Sequence, residues 1–280
     1  MDFRDTSIQS TVTNDSEYVR SNSVIARRNT GSHNPGLDLP NEFSSVAKNG
    51  GIEASNLILK ALPAETYNLL DPYLKPVMLT KEQFLYQEGG RLDFLYFPGT
   101  AVVSEFKILE DGRMVEIAVT GKEGAIGLSS LFSDSHLAPN CTQITQAGTA
   151  KRIDAINFER LLNSDDKLRT SLSRFVDLYI RQISQKAICN MYHSVKERLC
   201  TWLLMVQDRC GRSTLNLTHE QIARTLGVYR PSITCIAQEL REKRLIDYSR
   251  GGISICNRER VEDSACTCYA ELLGWNATTV

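Results

Sequence analysis

Nowhere does this chain carry an apolar run long enough to cross a bilayer, and its first residues, MDFRDTSIQS, lack the charged-then-apolar pattern of a secretory leader. Both absences predict a cytoplasmic protein with no membrane partner. A strong charge of either sign is missing too. Lys and Arg number 32 against 33 Asp and Glu, a net charge of -1, which excludes a protein that coats nucleic acid over its whole surface and leaves room only for a local basic patch. Cysteine is present at 141, 189, 200, 210, 235, 256, 266 and 268, but never as a CxxC pair and never before Cys141. Structural metal and iron–sulfur sites need clustered thiolates, so this spacing predicts no metal and no cofactor. Most of these thiols read as small buried hydrophobes in a reducing compartment; only Cys235 and the Cys266-Thr-Cys268 pair invite a test of redox chemistry. The histidines at 33, 136, 193 and 219 are scattered, and no Ser/His/Asp or paired-carboxylate spacing emerges, so the chain is not read as an enzyme.

A length of 280 residues accommodates about two domains, each able to bury a core. The most informative stretch is LTHEQIARTLGVYRPSITCIAQELREKRLIDYSRGGISI, from Leu217 to Ile255. Thr218 and Gln221 stand in capping-box spacing, and Leu217 with Ile222 adds a hydrophobic staple. A helix over His219–Leu226 would turn Ile222, Ala223 and Leu226 inward, and Gly227 supplies the left-handed residue that ends it. Proline at 231 suits the first turn of a second helix, with Ile233, Ile236, Ala237 and Leu240 buried. Two short helices across a glycine turn make a helix-turn-helix, and Leu245–Ser249 with Ile253–Ile255 around Gly251-Gly252 read as a hairpin wing. The outward face has its own chemistry. Tyr229, Arg230, Ser232, Thr234 and Gln238 are placed to read base edges, and Thr218, Arg224, Lys243 and Arg250 to hold phosphates. From His219 to Arg260, eight basic residues stand against five acidic ones, the local excess that binding to double-stranded DNA requires.

Upstream, residues 1–51 are rich in Ser, Thr and Asn without any period, and are expected to be disordered. Strands follow at about 75–79, 83–86, 93–97, 101–109, 114–120, 141–146 and 149–154. Asp111-Gly112 is the clearest hairpin signal among them. Short strands with turns between them make a barrel or roll rather than a doubly wound sheet. The segment Gly121–Leu131 contains three glycines beside Lys122, but Glu123 follows the lysine, which does not fit a phosphate loop. A short helix is expected at 156–163 and a long one from about Asp165 to His193. Its stripe of Leu168, Leu172, Phe175, Tyr179, Ile183 and Ala187 asks for a second copy of the chain. Ser194 and Glu197 form another capping box, which puts the hinge between domains near His193.

Over Leu62–Tyr269, and most strongly at Leu199–Trp202 and Leu217–Ile255, the chain resembles the Crp/Fnr family of bacterial transcription regulators. The resemblance implies an α+β fold: an antiparallel, cyclic-nucleotide-binding-like β-roll (52–164), a dimerisation helix (165–193), a winged helix-turn-helix (194–260) and a C-terminal tail (261–280). It also implies a homodimer, RNA polymerase as a partner, and an effector pocket near Gly121, Gly124, Gly127, Leu128, Ser129 and Thr142 for an unknown small molecule, if one is bound at all. Relatives that bind cyclic nucleotides place a glutamate after the loop glycine and an arginine further on. Here Leu128 follows Gly127 and no arginine stands in 138–142, so cyclic AMP is not expected to bind. The function implied is sequence-specific transcriptional regulation. The alternative from the residues alone is a ligand- or redox-sensing signalling protein whose helix-turn-helix serves protein interaction.

Overall fold

A computed structural model describes residues 56–131, 135–249 and 251–279. The N-terminal extension and Arg250 lie outside them. The hairpin tip Leu109–Arg113 is closed by the Gly112 N–H donating to the Leu109 carbonyl and by an Arg113–Asp111 ion pair of 2.7 Å. The rest of the described chain is one compact unit.

That unit opens with helices α1 (Leu57–Ala61) and α2 (Ala64–Leu70). Strands β1 (Lys75–Leu79), β2 (Phe84–Tyr86), β3 (Phe94–Pro98), β4 (Val102–Ile108), β5 (Met114–Thr120), β6 (Cys141–Gln146) and β7 (Gly148–Asp154) follow, close to the expected positions. They form two antiparallel sheets, ordered β1-β7-β3 and β2-β6-β4-β5. Alternating residues of the strands, among them Val77, Leu79, Tyr96, Val103, Ile144 and Ala150, share one core. Below it Leu95, Phe97 and Ile153 pack with Phe158 of α3 (Ala155–Ser164) and with the start of α4 (Asp166–Tyr192).

Helix α4 runs 27 residues, opened by the Asp165 carboxylate accepting from the Leu168 N–H at 2.9 Å. No helix among the described residues is long and apolar enough to cross a membrane. The stripe on α4 divides between two sides of the helix, contrary to the single seam expected from its spacing. Leu168, Leu172 and Phe175 are buried in the protomer's own core beneath the roll, and Tyr179 turns inward to hydrogen-bond Glu105 of β4, so these four are spent within the protomer. The apolar residues left outward are Ile180, Ile188 and Met191, with Ala187 between them and Ile183 half-buried. The inward and outward stripes differ by one residue in phase, which hydrophobic spacing alone does not resolve on a helix apolar on two sides.

After α4 come α5 (Val195–Cys210), β8 (Thr214–Asn216), α6 (His219–Leu226), α7 (Arg230–Glu242), β9 (Ile246–Ser249) and β10 (Gly252–Ile255). The α6–α7 pair and the β9–β10 wing stand where the sequence places them, whereas β8, which the sequence does not announce, joins the wing on the far side of β10. The C-terminal tail expected at 261–280 is not what the described residues form. Instead α8 (Arg258–Asp263) leads to α9 (Cys268–Thr279), and Val261, Cys266, Cys268 and Tyr269 are buried.

Candidate nucleic-acid interface

Both capping boxes form. Thr218 Oγ1 accepts from the Gln221 N–H at 3.2 Å while Gln221 Oε1 accepts from the Thr218 N–H at 2.9 Å, and Ser194 with Glu197 repeats the arrangement at the head of α5. Gly227 ends α6 at φ +65°, a conformation that a residue with a Cβ rarely adopts. Ile222, Ala223 and Leu226 of α6 close on Ile233, Ala237 and Leu240 of α7, with Trp202 and Leu203 of α5 beneath. The buried faces being used up, α7 is left with one polar side.

Tyr229, Arg230, Ser232, Thr234 and Gln238 are all exposed on that side, as is Cys235. They are not equally available. Thr234 donates to the Arg230 carbonyl and meets His219 Nδ1 at 3.2 Å, and Gln238 donates to Glu242 at 3.1 Å. The Arg230 guanidinium makes no hydrogen bond or ion pair among the described residues. Burial, and then the positive charge of Arg230, hold the His219 imidazole below its ordinary value. Among the phosphate candidates, Thr218 is exposed at the α6 cap. Lys243 is paired with Glu239 at 2.7 Å, and Lys196 and Lys243 together hold that carboxylate down to about 2. Arg224 lines a cleft against Phe106, Met114 and Gln143 of the roll.

The glycine loop after β5 is packed rather than open. A Cβ on Gly124 would fall 2.4 Å from Phe175, and one on Gly121 would fall 2.5 Å from Arg209. Asn56 donates to the Gly124 carbonyl at 2.7 Å, and Glu123 pairs with Arg209 at 2.8 Å. Gly127 abuts the Phe94 carbonyl and the Tyr86 hydroxyl; Leu128 and Ser129 begin a 3-10 turn; Thr142 pairs across the sheet with Glu105. The glycines at 121 and 124 thus serve close packing of the roll against α5 and α4.

Two groupings escaped the sequence. Glu116 of β5, almost fully buried, accepts from Ser104 at 2.7 Å, from Lys186 of α4 at 3.0 Å and from Trp202 of α5 at 3.1 Å. The second gathers Cys189, His193, Cys266 and Cys268, whose ligand atoms all lie within 4.8 Å of one another. The available signal was the pair of spacings Cys189-x3-His193, one helical turn, and Cys266-x-Cys268. Hydrogen bonds from the Cys189 thiol and the Thr201 hydroxyl hold the Cys266 thiol below its ordinary value.

Residues 197–264 match the Crp-like helix-turn-helix domain. Over that stretch the chain is similar to the Crp/Fnr regulators. Curated transcription regulators are similar to the chain over most of its length. The anaerobic regulatory protein of Bacillus subtilis is 21% identical over 221 residues, which is 75% of this chain and 93% of that protein. The CRP-like cAMP-activated global transcriptional regulator of Mycobacterium tuberculosis is 22% identical over 199 residues, 69% of this chain and 88% of that protein. Among solved structures, FixK2 from Bradyrhizobium japonicum superposes with a TM-score of 0.59 at 17% identity, covering 69% of this chain and 98% of FixK2. At that identity the likeness establishes the fold: an antiparallel roll joined to a helix-turn-helix.

Proposed function

We propose that this Crp/Fnr regulator acts in the cytoplasm as a homodimer on two-fold-symmetric double-stranded DNA, with α7 in the major groove. The observation that carries this is the exposed start of α7, where the Arg230 guanidinium, without a hydrogen-bond or ion-pair partner among the described residues, offers two parallel donors to guanine O6 and N7. Tyr229 and Ser232 flank it, and Thr234 and Gln238 complete the reading face. Thr218, Lys243, Arg250 and, once released from its cleft, Arg224 serve the phosphates. Half-sites lie about one helical turn apart. RNA polymerase is the partner through which the bound dimer acts.

Two copies pair along the outward face of α4, through Ile180, Ile183, Ala187 and Met191, since a helix of this length with exposed isoleucines needs a second apolar surface. The roll takes a signal other than cyclic AMP. Leu128 offers no acceptor for a ribose hydroxyl, residues 138–142 offer no guanidinium for a phosphate, and the space beside Gly121 and Gly124 is filled by Arg209 and Phe175. Selection of binding sites from random duplexes tests the reading: a palindromic consensus and an affinity falling steeply with salt are expected. Uniform affinity for every sequence would overturn specific recognition, and affinity indifferent to salt would overturn DNA binding itself.

A further inference from the structure

We propose that Cys189, His193, Cys266 and Cys268 hold one tetrahedral divalent transition metal ion, zinc by the softness of the donors, and so clamp the end of α4 to the C-terminal helices. The geometry is that of a mononuclear site. Cys189 Sγ and Cys266 Sγ are 3.5 Å apart, and Cys268 Sγ and His193 Nδ1 are 3.4 Å apart. Zinc with bonds of about 2.3 Å to sulfur and about 2.0 Å to nitrogen sets the edges of its tetrahedron at roughly 3.5–3.8 Å. Four donors within 4.8 Å leave no room for a cube of irons and sulfides between them. A disulfide between Cys189 and Cys266 would use two of the four groups and give no reason for the other two.

The surroundings are those of a thiolate site. Gln185 donates to Cys268 Sγ at 3.0 Å, and Thr201 lies 3.0 Å from Cys266 Sγ while accepting from the Cys266 N–H at 3.1 Å. Such contacts orient ligands and spread the charge of a thiolate. Three thiolates and an imidazole favour zinc over the harder cations. Cys141 and Cys210, buried as well, face a backbone N–H and a backbone carbonyl instead of one another. The position matters as much as the chemistry. Cys189 lies in the last turn of α4, His193 is its C-cap, and Cys266 and Cys268 sit where α8 passes to α9. All four lie outside residues 197–264, so the ion is additional to the shared domain. It binds whether or not the protein binds DNA.

Cobalt titration of the reduced, metal-free, full-length protein decides the matter without DNA. One cobalt per protomer is expected, with the intense visible bands of a tetrahedral thiolate complex, bleached by added zinc. Cys189→Ser, Cys266→Ser and Cys268→Ser should each abolish the bands. Cys235→Ser, on the exposed face of α7, should leave them intact. His193→Cys preserves four donors and should keep the ion with stronger sulfur-to-metal absorption, which separates loss of a ligand from failure to fold. Thr201→Val should weaken binding about 10–100-fold. The proposal is overturned if the folded, reduced protein takes up no cobalt, if the bands are the weak ones of an octahedral ion, or if the three serine variants retain them.

Discussion

At the α7 surface the energies of single contacts decide what can be read. Arg230→Ala should cost about 1–3 kcal/mol on the preferred duplex and relax the preference at one base position. Arg250→Ala, at a residue proposed to hold a phosphate, should instead weaken all sequences alike and flatten the salt slope. Selected sequences from each variant distinguish the two. If Arg230→Ala leaves the consensus unchanged, base reading belongs to Tyr229 and Ser232. A second residue-scale expectation concerns Glu105. Burial raises its carboxyl above the ordinary range, against the opposing hydrogen bonds of Tyr179 and Asn140. A carboxyl whose folded value is raised contributes no penalty in acid and an increasing one as pH climbs from the unfolded value to the folded one. Glu105→Gln, which can still accept from Tyr179, should therefore raise the urea midpoint at neutral pH, with the gain disappearing in acid. An equal gain at every pH would show that the effect is packing.

Elements were legible where the code is local. The capping boxes at Ser194 and Thr218, the glycine at 227 and the proline at 231 fix α5, α6 and α7 through contacts within four residues, and the Asp111-Gly112 turn fixes the β4–β5 hairpin. What escaped was whatever depends on which neighbour arrives. Strand β8 has only three residues and exists because β10 offers it an edge. The thiol cluster joins positions 77 residues apart. The stripe on α4 is visible as a period, yet its two apolar sides are told apart only once Phe175 is seen under the roll. This gives a pair of contrasting variants. Ile180→Glu with Ala187→Glu should yield folded monomers in sedimentation. Phe175→Ala should instead cost about 3–5 kcal/mol of stability and leave association of the folded chain unchanged. If the double variant remains dimeric, α4 is not the seam.

Across the molecule, roll and winged helix are joined by polar bonds that few surface contacts could replace. Glu116 reaches from β5 to both α4 and α5, Arg209 links α5 to Glu123 and Gln182, and Gln146 exchanges two hydrogen bonds with the backbone of Asn216. Glu116→Gln, which keeps the shape and removes the charge, should lower stability by about 1–3 kcal/mol as read from urea unfolding. Wild-type unfolding should be a single transition by fluorescence and circular dichroism alike. The same carboxylate makes the protein its own optical gauge. The chain has two tryptophans, and the indole of Trp202 is sealed at the junction with its N–H on Glu116. With Trp275 replaced by phenylalanine, the colour of the remaining emission tracks the wetness of that junction. Any signal that parts the roll from the winged helix becomes visible as a red shift, without a label and before a single operator is known.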